Sequence, residues 1–308
     1  MKIGWRGLLW ILGSLMKQKE IIVSCVVDSK HKYYEQCIGL INSLLLSGTV
    51  KGYEIVVHVF EDSAECFVEL LKKCGVNVFK TKRFEATGSV FCNKLIQLKS
   101  KLLFDCEKIL LMDTDIAVVE NIRDTILKMT CAAKVADTPS PPIKIFRELY
   151  RRSSLSAFPC QVSSSFCKGV TVGGNCNGGV YIFSKDILRI IAPLWLKWSY
   201  WCLHNKSLLG HYIIHADQIS FSFALLESGL ELEYLDLDMN YPTHLKKKTY
   251  TCMHNFKAKI LHYHSNIDDD GFLNYIGLDL VDGSINIANE QLKRLRSSFL
   301  WRDFISIP

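Results

Sequence analysis

The stretch KILLMDTDIAVVENI, Lys108 to Ile122, decides the fold class of this 308-residue chain. Its apolar run, Ile109 to Met112, is too short for a helix and is bounded by charge, which is typical of a buried strand. The run ends in Asp113-Thr114-Asp115, and residues i and i+2 of an extended chain point to the same face. Both carboxylates therefore converge at the carboxyl edge of a sheet, where open α/β sheets bind ligands. Because like charges repel unless a cation separates them, the pattern indicates a divalent ion, Mn²⁺ or Mg²⁺, that holds a phosphorylated ligand.

Strand and helix patterns alternate on both sides of this stretch. The alternation predicts a mainly parallel sheet that is covered by helices on both faces. The one long irregular stretch, 137–174, is rich in Ser, Pro and Gly and contains a predicted helical turn at 148–152. A loop of this length in a compact domain is usually functional. The predicted strands are 20–27, 54–60, 76–79, 109–112 and 131–136, and the predicted helices are 34–46, 63–73, 89–104 and 122–129.

The composition excludes several classes of protein. The net charge of +6 suits an anionic ligand or an anionic membrane surface, but no basic stripe interleaved with aromatic residues indicates nucleic acid. The twelve cysteines show neither a Cys-x-x-Cys pair nor the Cys/His spacing of a zinc site. We therefore expect reduced thiols, most of them buried as small apolar groups, and a cytoplasmic location.

Both ends of the chain combine basic and apolar residues. The segment 4–16, GWRGLLWILGSLM, is too short to span a bilayer, and its Trp and Leu side chains share one helical face. That pattern is typical of a helix at a membrane surface or of one packed on the domain. The stretch 291–304, QLKRLRSSFLWRDF, favours the same peripheral membrane contact. These patterns divide the chain into an N-terminal apolar segment, 1–19, a globular domain, 20–270, and a basic, aromatic tail, 271–308.

The first stretch resembles the LDADTLVL segment of the retaining glycosyltransferases of family 8, which include glycogenin and bacterial lipopolysaccharide glucosyl- and galactosyltransferases. Further matches follow in the family's order, so the resemblance covers Ile21 to Ser265. It implies a single α/β domain of GT-A type, a Rossmann-like and mainly parallel sheet with helices on both faces. It also implies the Mn²⁺- or Mg²⁺-dependent transfer of a hexose, glucose or galactose, from a UDP-sugar to a glycan, a lipid-linked saccharide or a protein.

The uridine half of the donor corresponds to CVVDSKHKYYEQCIGLINSLL, residues 25–45. This segment resembles the family's opening strand, turn and helix. The resemblance implies that Val27 and Asp28 lie near the uracil and that Tyr33 stacks on it. Because extra residues separate Asp28 from Tyr33, Tyr34 is an alternative for the stacking position.

The phosphate end of the donor shows one match and one departure. FCNKLIQLKS, residues 91–100, resembles the helix whose lysine, Lys94 here, reaches the phosphates, and Asp113 and Thr114 complete the donor-binding set. The family's Lys-Pro-Trp, whose lysine holds the diphosphate, is replaced by SNIDDDG at 265–271. Three aspartates there repel a diphosphate unless they turn away, so either donor binding is weakened or another cation substitutes. The candidate substitutes are Lys94, Arg147, Arg151 and Arg152.

Three segments resemble the family's sugar-binding elements: NCNGGVYIFSKD (175–186), HADQISFSFALLESG (215–229) and LDLDMNY (235–241). Glycines in the first segment let the backbone approach a ligand closely, and the family's usual serine is Gly178 here. The resemblance implies that Asp217 and Gln218 are catalytic and stabilise the positive charge that develops on the sugar, although Asp217 could instead cap its helix. The implied sugar contacts are Asn177, Gly178, Gly179, Asp217, Gln218 and Asn240.

The predicted metal site is completed by KILHYHSN, residues 259–266, which resembles the family's Ile-Ile-His-Phe-x-Gly. The resemblance implies that His262 binds the metal together with Asp113 and Asp115. Imidazole is a suitable ligand for Mn²⁺ beside carboxylates. His264 lies two residues away on the same face and is an alternative ligand.

Three other functions remain open from the sequence. The missing Lys-Pro-Trp favours a non-catalytic member of the same fold that binds nucleotide or glycan. A nucleotidyltransferase would require a Gly-rich, Arg-containing loop after its first strand, and 25–31 has none. Self-glycosylation requires an acceptor tyrosine, and neither Tyr150 nor Tyr200 carries a distinguishing pattern.

Overall fold

The computed structural model describes residues 19–85, 89–153, 155–305 and 307. The predicted N-terminal helix at 4–16 lies outside these residues. Twelve strands and nine helices are described below in chain order. The strands are β1 (Lys19–Val27), β2 (Ile55–Phe60), β3 (Asn77–Thr81), β4 (Cys106–Met112), β5 (Ile116–Val118), β6 (Cys131–Val135), β7 (Gln161–Ser163), β8 (Val170–Val172), β9 (Cys176–Ser184), β10 (Glu233–Tyr234), β11 (Tyr241–Pro242) and β12 (Ile260–His262). The helices are α1 (His31–Leu46), α2 (Glu65–Lys73), α3 (Arg123–Lys128), α4 (Ile143–Arg152), α5 (Lys185–His204), α6 (Lys206–Leu209), α7 (Ala216–Ser228), α8 (Asp279–Arg296) and α9 (Phe299–Ile305).

The central sheet has seven strands in the order β10-β6-β9-β4-β1-β2-β3. Only β9 runs antiparallel to its neighbours β4 and β6 in this sheet, and the other pairs are parallel. Helices α1, α2 and α8 cover one face, and α4, α5 and α7 cover the other. The prediction of a mainly parallel α/β sheet is therefore confirmed.

The burial of strand β1 explains why most of its residues from Ile21 to Val27 are apolar. Val23 and Cys25 point into the core beneath α1, whereas Ile22 points into the core beneath α5 and α7. Because successive side chains of a strand alternate between faces, a strand that is covered on both faces requires apolar residues at nearly every position. The apolar run Ile109 to Met112 in β4 follows the same rule, and all of its side chains are buried.

A second, three-stranded sheet of order β11-β12-β5 leaves the main sheet directly after the Asp113-Thr114-Asp115 turn. In it His262 pairs with Ile116, antiparallel across β12 and β5. Helix α8 covers this small sheet with Val281, Ile285 and Ala288. The turn between β4 and β5 therefore lies where the two sheets meet.

Two predicted regions differ in detail. The predicted helix 89–104 consists of two 3₁₀ segments, Ser89–Lys99 and Lys101–Phe104, separated by an extended Ser100. The predicted loop 137–174 contains a full helix, α4, and the hairpin β7-β8. Helix α4 begins earlier than the predicted turn because it buries an apolar face of Phe146, Leu149 and Tyr150.

The C-terminal segment packs on the domain through α8 and α9. Leu295 and Phe304 are buried, and Leu300 and Trp301 are partly buried against the same core. Phe299, 81% exposed, is the aromatic residue of this segment that stays at the surface. Among the helices in the described part of the chain, none is both long and apolar enough to cross a membrane.

Candidate active site

The two aspartates after β4 are fixed by backbone hydrogen bonds to neighbouring segments. The N–H of Asp113 donates to the carbonyl of Gly179 in β9, over 3.0 Å. The N–H of Tyr263, just after β12, donates to the carbonyl of Asp115 over 3.1 Å. The turn is thereby held against both sheets, which brings residues from β4, β9 and β12 to the same edge.

Asp115 lies between two imidazoles. Its Oδ2 is 3.1 Å from His264 Nδ1, and its Oδ1 is 3.4 Å from His262 Nε2. One donor atom from each of the three residues lies within 4.8 Å of the others, so the cluster could hold a metal ion. Burial by itself raises the pKa of Asp115, but the two imidazoles outweigh it and lower that pKa well below its usual value. Burial by itself lowers the pKa of His264, but Asp115 outweighs that effect, so the pKa of His264 is raised.

A chain of side-chain hydrogen bonds leads from Asp137 to His262. Asn177 donates through Nδ2 to Asp137 Oδ2 over 2.5 Å, and Asn240 donates through Nδ2 to Asn177 Oδ1 over 2.9 Å. His262 Nδ1 lies 3.1 Å from Asn240 Oδ1. Because a carboxylate only accepts, it orients both amides, and Asn240 presents its oxygen to His262. His262 Nδ1 therefore donates to Asn240 Oδ1, and whenever the ring is neutral its Nε2 carries the free lone pair that a metal ion needs.

The free His262 Nε2 fits a metal ligand. It is buried and makes no hydrogen bond, since the 3.4 Å separation from Asp115 is too long and poorly directed for one. Buried polar atoms normally have partners, and an unpartnered one requires an explanation. A metal ion held by Asp115, His262 and His264 would give this nitrogen a partner.

Lys94 forms a second cluster beside the first. Its Nζ lies 3.1 Å from both carboxylate oxygens of Asp113 and 2.8 Å from Asp217 Oδ2, and it donates to the carbonyl of Gly178 over 3.2 Å. Burial disfavours the charged lysine, but the two carboxylates outweigh it and raise the pKa of Lys94. Burial raises the pKa of Asp113 despite the neighbouring Lys94. Asp113 is therefore paired with Lys94, whereas Asp115 faces the imidazoles.

Two glycines of β9 make room for these side chains. A Cβ on Gly178 would lie 2.3 Å from Lys94 Nζ, and one on Gly179 would lie 2.6 Å from His262 Nδ1. Contacts below 3 Å do not occur for real Cβ atoms, and the His262 ring is held by Asn240 and cannot withdraw as the lysine terminus can. The glycines thus let protein side chains, rather than a ligand alone, approach the strand closely.

The residues predicted for the sugar fall into two groups. Asp217 lies in the first turn of α7, where its buried carboxylate forms an ion pair with Lys94 and does not cap the helix. Gln218 lines an open cleft that His262 and His264 also line. Asn177 and Asn240 line or underlie the same cleft but are engaged in the chain from Asp137 to His262.

Three titratable residues of this cleft have no counterpart among the sequence predictions. Asp137 is buried, with an ion pair to the fully buried Lys134 and a hydrogen bond from Ser165 over 3.2 Å. His244 packs on His264 with ring centroids 3.9 Å apart, and burial together with the neighbouring imidazoles lowers its pKa to about 4. His215 also lines the cleft, and burial lowers its pKa. No local pattern marks these positions.

The residues that the sequence predicts to contact uridine lie at the carboxyl end of β1 and the start of α1. Val27 is buried at the strand end, and Asp28 pairs with Arg83 over 3.2 Å. Tyr33 is partly exposed, whereas the Tyr34 ring is stacked on Phe67 with centroids 4.0 Å apart. Tyr34 is thereby engaged in the core, and of the two tyrosines Tyr33 is the one available to a ligand.

Thr114 and the loop that replaces Lys-Pro-Trp complete the surroundings. Thr114 is mostly buried and donates through Oγ1 to Gln36 Oε1 of α1 over 3.3 Å. The three aspartates of 268–270 are exposed and are not among the residues that line the cleft. Their negative charges therefore do not form part of the cleft wall. Arg151 and Arg152 pair with Glu148 on the surface of α4, and of the described cleft-lining residues none is an arginine.

Comparisons with known proteins place the fold. The chain superposes on the galactosyltransferase LgtC, solved with donor and acceptor sugar analogues, with a TM-score of 0.52, 12% identity and coverage of 92% of this chain and 99% of that one. An active-site mutant of LgtC gives a TM-score of 0.53 at 11% identity. Mouse xyloside xylosyltransferase 1 gives a TM-score of 0.47 at 15% identity, over 80% of this chain and 98% of that one. No protein-family model and no curated sequence matches the chain. The GT-A fold predicted from the sequence is confirmed.

Proposed function

We propose that the protein is a metal-dependent retaining glycosyltransferase that moves a hexose, glucose or galactose, from a UDP-sugar to a glycan, a lipid-linked saccharide or a protein. The observation that carries this proposal is that two clusters lie side by side at one sheet edge of a GT-A fold, next to a cleft that Asp113, His262 and His264 help to line. The imidazole-carboxylate cluster of Asp115 suits a divalent ion, and Lys94 with Asp217 lies beside it. Both lie at the carboxyl edge of the sheet, where this class of fold binds nucleotides.

The donor would lie across the edge of the sheet with its uridine toward β1. Tyr33 would stack on the uracil, and Val27 and Asp28 would border it. Arg83, which contacts Asp28 at 3.2 Å, adds a cation at this end of the site. The sugar would then extend toward Asp217 and Gln218 in the cleft.

The chemistry of this proposal is charge stabilisation and positioning. A bound Mn²⁺ or Mg²⁺ would act as a Lewis acid on the diphosphate, which gains negative charge as it leaves. Lys94 supplies a second cation beside Asp113, and with no Lys-Pro-Trp lysine it is the nearest one to the turn after β4. Asp217 carries a buried carboxylate toward the position of the sugar and would stabilise positive charge at the anomeric carbon.

The setting of the reaction follows from the thiols and the acceptor side. All twelve cysteines lie in described residues and are free. Free thiols in this number are typical of a reducing compartment, so we place the protein in the cytoplasm.

The acceptor would enter through the side of the cleft formed by Thr138, Ser140 and His244.

The experiment is UDP release from a panel of UDP-sugars, measured without an acceptor because slow donor hydrolysis needs none. Wild type is assayed with Mn²⁺ and then with EDTA, beside Asp115→Ala and the surface control Asp186→Ala, which removes an exposed carboxylate from α5. We expect metal-dependent release from one donor, lost in Asp115→Ala and retained in the control. If no donor is hydrolysed and UDP binds without dependence on Mn²⁺, the chain is a non-catalytic binding protein instead.

A further inference from the structure

The ligands available to a metal in this cleft differ from the pair of aspartates that the sequence suggests. Among the described residues, the donor atoms that lie within 4.8 Å of one another belong to Asp115, His262 and His264. The separations from Asp115 are 3.1 Å to His264 Nδ1 and 3.4 Å to His262 Nε2. Two ligands at about 2.1 Å from one first-row metal ion, at right angles, are about 3 Å apart. The three side chains therefore need only small movements to share an ion.

Asp113 is withheld from this group. Both of its carboxylate oxygens contact Lys94 Nζ at 3.1 Å, and Lys94 is fixed further by Asp217 and the carbonyl of Gly178. If both oxygens of Asp113 turned to a metal ion, the partly buried ammonium of Lys94 would lose one of its two carboxylate partners. Separating a partly buried charge pair costs free energy, so the existing pair opposes that movement.

His264 is held in place for a ligand role. Its backbone has φ +48°, and among the described non-glycine residues it alone has a positive φ. Such a conformation costs about 1 kcal/mol in a residue with a side chain and persists only where the surroundings hold it. His264 is stacked on His262 with centroids 4.0 Å apart and packed edge-on against His244 at 3.9 Å. These contacts direct its Nδ1 to Asp115.

We propose that the metal centre of this chain is a two-histidine, one-carboxylate site formed by Asp115, His262 and His264, with Asp113 reserved for Lys94. This inference rests on the proposed function only in placing a metal ion in the cleft. Two imidazoles among three protein ligands favour Co²⁺ and Zn²⁺, and to a smaller degree Mn²⁺, over Mg²⁺, which prefers oxygen ligands. The hydrogen-bond chain from Asp137 prepares His262 Nε2 for this role.

The test is calorimetric titration of the metal-stripped full chain with Co²⁺ and with Mg²⁺, together with the visible absorption of bound Co²⁺. The matched variants are Asp113→Asn and His264→Asn, since asparagine tolerates the left-handed backbone at 264. We expect Co²⁺ to bind at least tenfold more tightly than Mg²⁺. Asp113→Asn keeps the Co²⁺ affinity within about threefold, whereas His264→Asn lowers it at least tenfold and alters the spectrum.

The opposite pattern overturns the inference: an affinity lost in Asp113→Asn and unchanged in His264→Asn would assign the metal to the paired aspartates. Thermal melts of both variants in EDTA show whether each is folded, and the spectrum of residual bound Co²⁺ reports the ligands directly. UDP release is measured separately. The expected metal pattern without UDP release contradicts the proposed function alone, and UDP release with the opposite metal pattern contradicts this inference alone.

Discussion

At the scale of single residues, the site depends on the orientation of two side-chain amides. Asn240 accepts from His262 and donates to Asn177, so its oxygen determines which His262 nitrogen is free. Asn240→Leu removes that acceptor, and His262 can then protonate Nε2. We expect metal affinity to fall about 10- to 100-fold, as for other partners of ligating histidines. Calorimetry with Co²⁺ or Mn²⁺ measures this.

The control is Asn240→Asp, which keeps an acceptor for His262 Nδ1 but loses the donor to Asn177. We expect this variant to melt at a lower temperature yet to bind metal nearly as well as wild type. Equal losses of affinity in both Asn240 variants would mean that Asn240 supports packing and does not set the His262 tautomer.

The sequence predicts those site residues that lie in a local motif. It does not predict the residues that only the fold brings to the site. The Asp-x-Asp turn and His262 lie in short recognisable segments, and the structure brings Asp115 and His262 together. Asp137 and His244 lie beside them only because β6 and the segment after β11 end at the same edge. Likewise, no pattern indicates that Lys94 takes Asp113 as a partner, because that pairing depends on a tertiary distance.

At the scale of elements, β6 carries a buried ion pair into the cleft. Lys134 is fully buried in the strand, and its ammonium pairs with Asp137 just beyond the strand end. Burial lowers the pKa of Lys134, although Asp137 opposes this. Asp137→Asn leaves the ammonium without a charged partner, which we expect to cost about 3–5 kcal/mol of unfolding free energy, measured by urea denaturation.

The matched double variant, Asp137→Asn with Lys134→Met, removes both charges. A methionine fills a similar volume without a charge, so we expect the double variant to regain most of the lost stability. A double variant no more stable than Asp137→Asn would show that the loss arises from the hydrogen bonds of Asp137 to Asn177 and Ser165 and not from the unpaired lysine.

Strand β2 contributes a pH dependence that is separate from the site. His58 is fully buried between Ser24 and Phe79, and burial lowers its pKa from 6.5 to about 4. The unfolded chain takes up this proton as pH falls below 6.5, and the folded chain does so only near 4. The stabilisation is therefore complete above pH 6.5 and is lost as pH falls toward 4, by about 3 kcal/mol in all.

The measurement is the urea midpoint between pH 7 and pH 4 for wild type and His58→Gln. Glutamine retains polar atoms in the strand but does not titrate, so we expect a smaller loss of stability on acidification. Equal acid losses in both proteins would mean that His58 is protonated in the folded state at an ordinary pKa, contrary to its burial.

The same scale shows why one predicted element has another form. The sequence predicts a helix over 89–104, and in it Cys92, Leu95 and Leu98 pack at intervals of three into the core beneath α5 and α7. In a 3₁₀ helix residues i and i+3 lie directly above one another, so this spacing gives one apolar face. The strands, by contrast, are predictable because β1 and β4 are covered on both faces and their apolar runs have no competing pattern.

At the scale of the whole molecule, the cluster of Asp115, His262 and His264 joins two sheets. Asp115 lies in the turn that leaves the seven-stranded sheet, whereas His262 and His264 lie in and after β12 of the small sheet. Helix α8 packs on the small sheet, and its C-terminal Leu295 reaches the core beneath the main sheet. An ion shared by these side chains therefore adds a tie between two units that packing already connects.

A ligand that binds only the folded chain stabilises it by mass action, so the metal ion should raise the melting temperature. At a free Co²⁺ concentration 100 times the dissociation constant the gain is about 2.7 kcal/mol, or about 4 °C for a chain of this size. Thermal melts with Co²⁺ and with EDTA, in a non-thiol reductant, measure the shift in wild type and His264→Asn. The twelve free cysteines of the unfolded chain also bind soft metals and reduce the gain, so Mn²⁺ is run beside Co²⁺. We expect a smaller rise in melting temperature in His264→Asn, because the site then lacks one of its three ligands. A rise of the same size as in wild type would mean that the stabilising ion binds elsewhere.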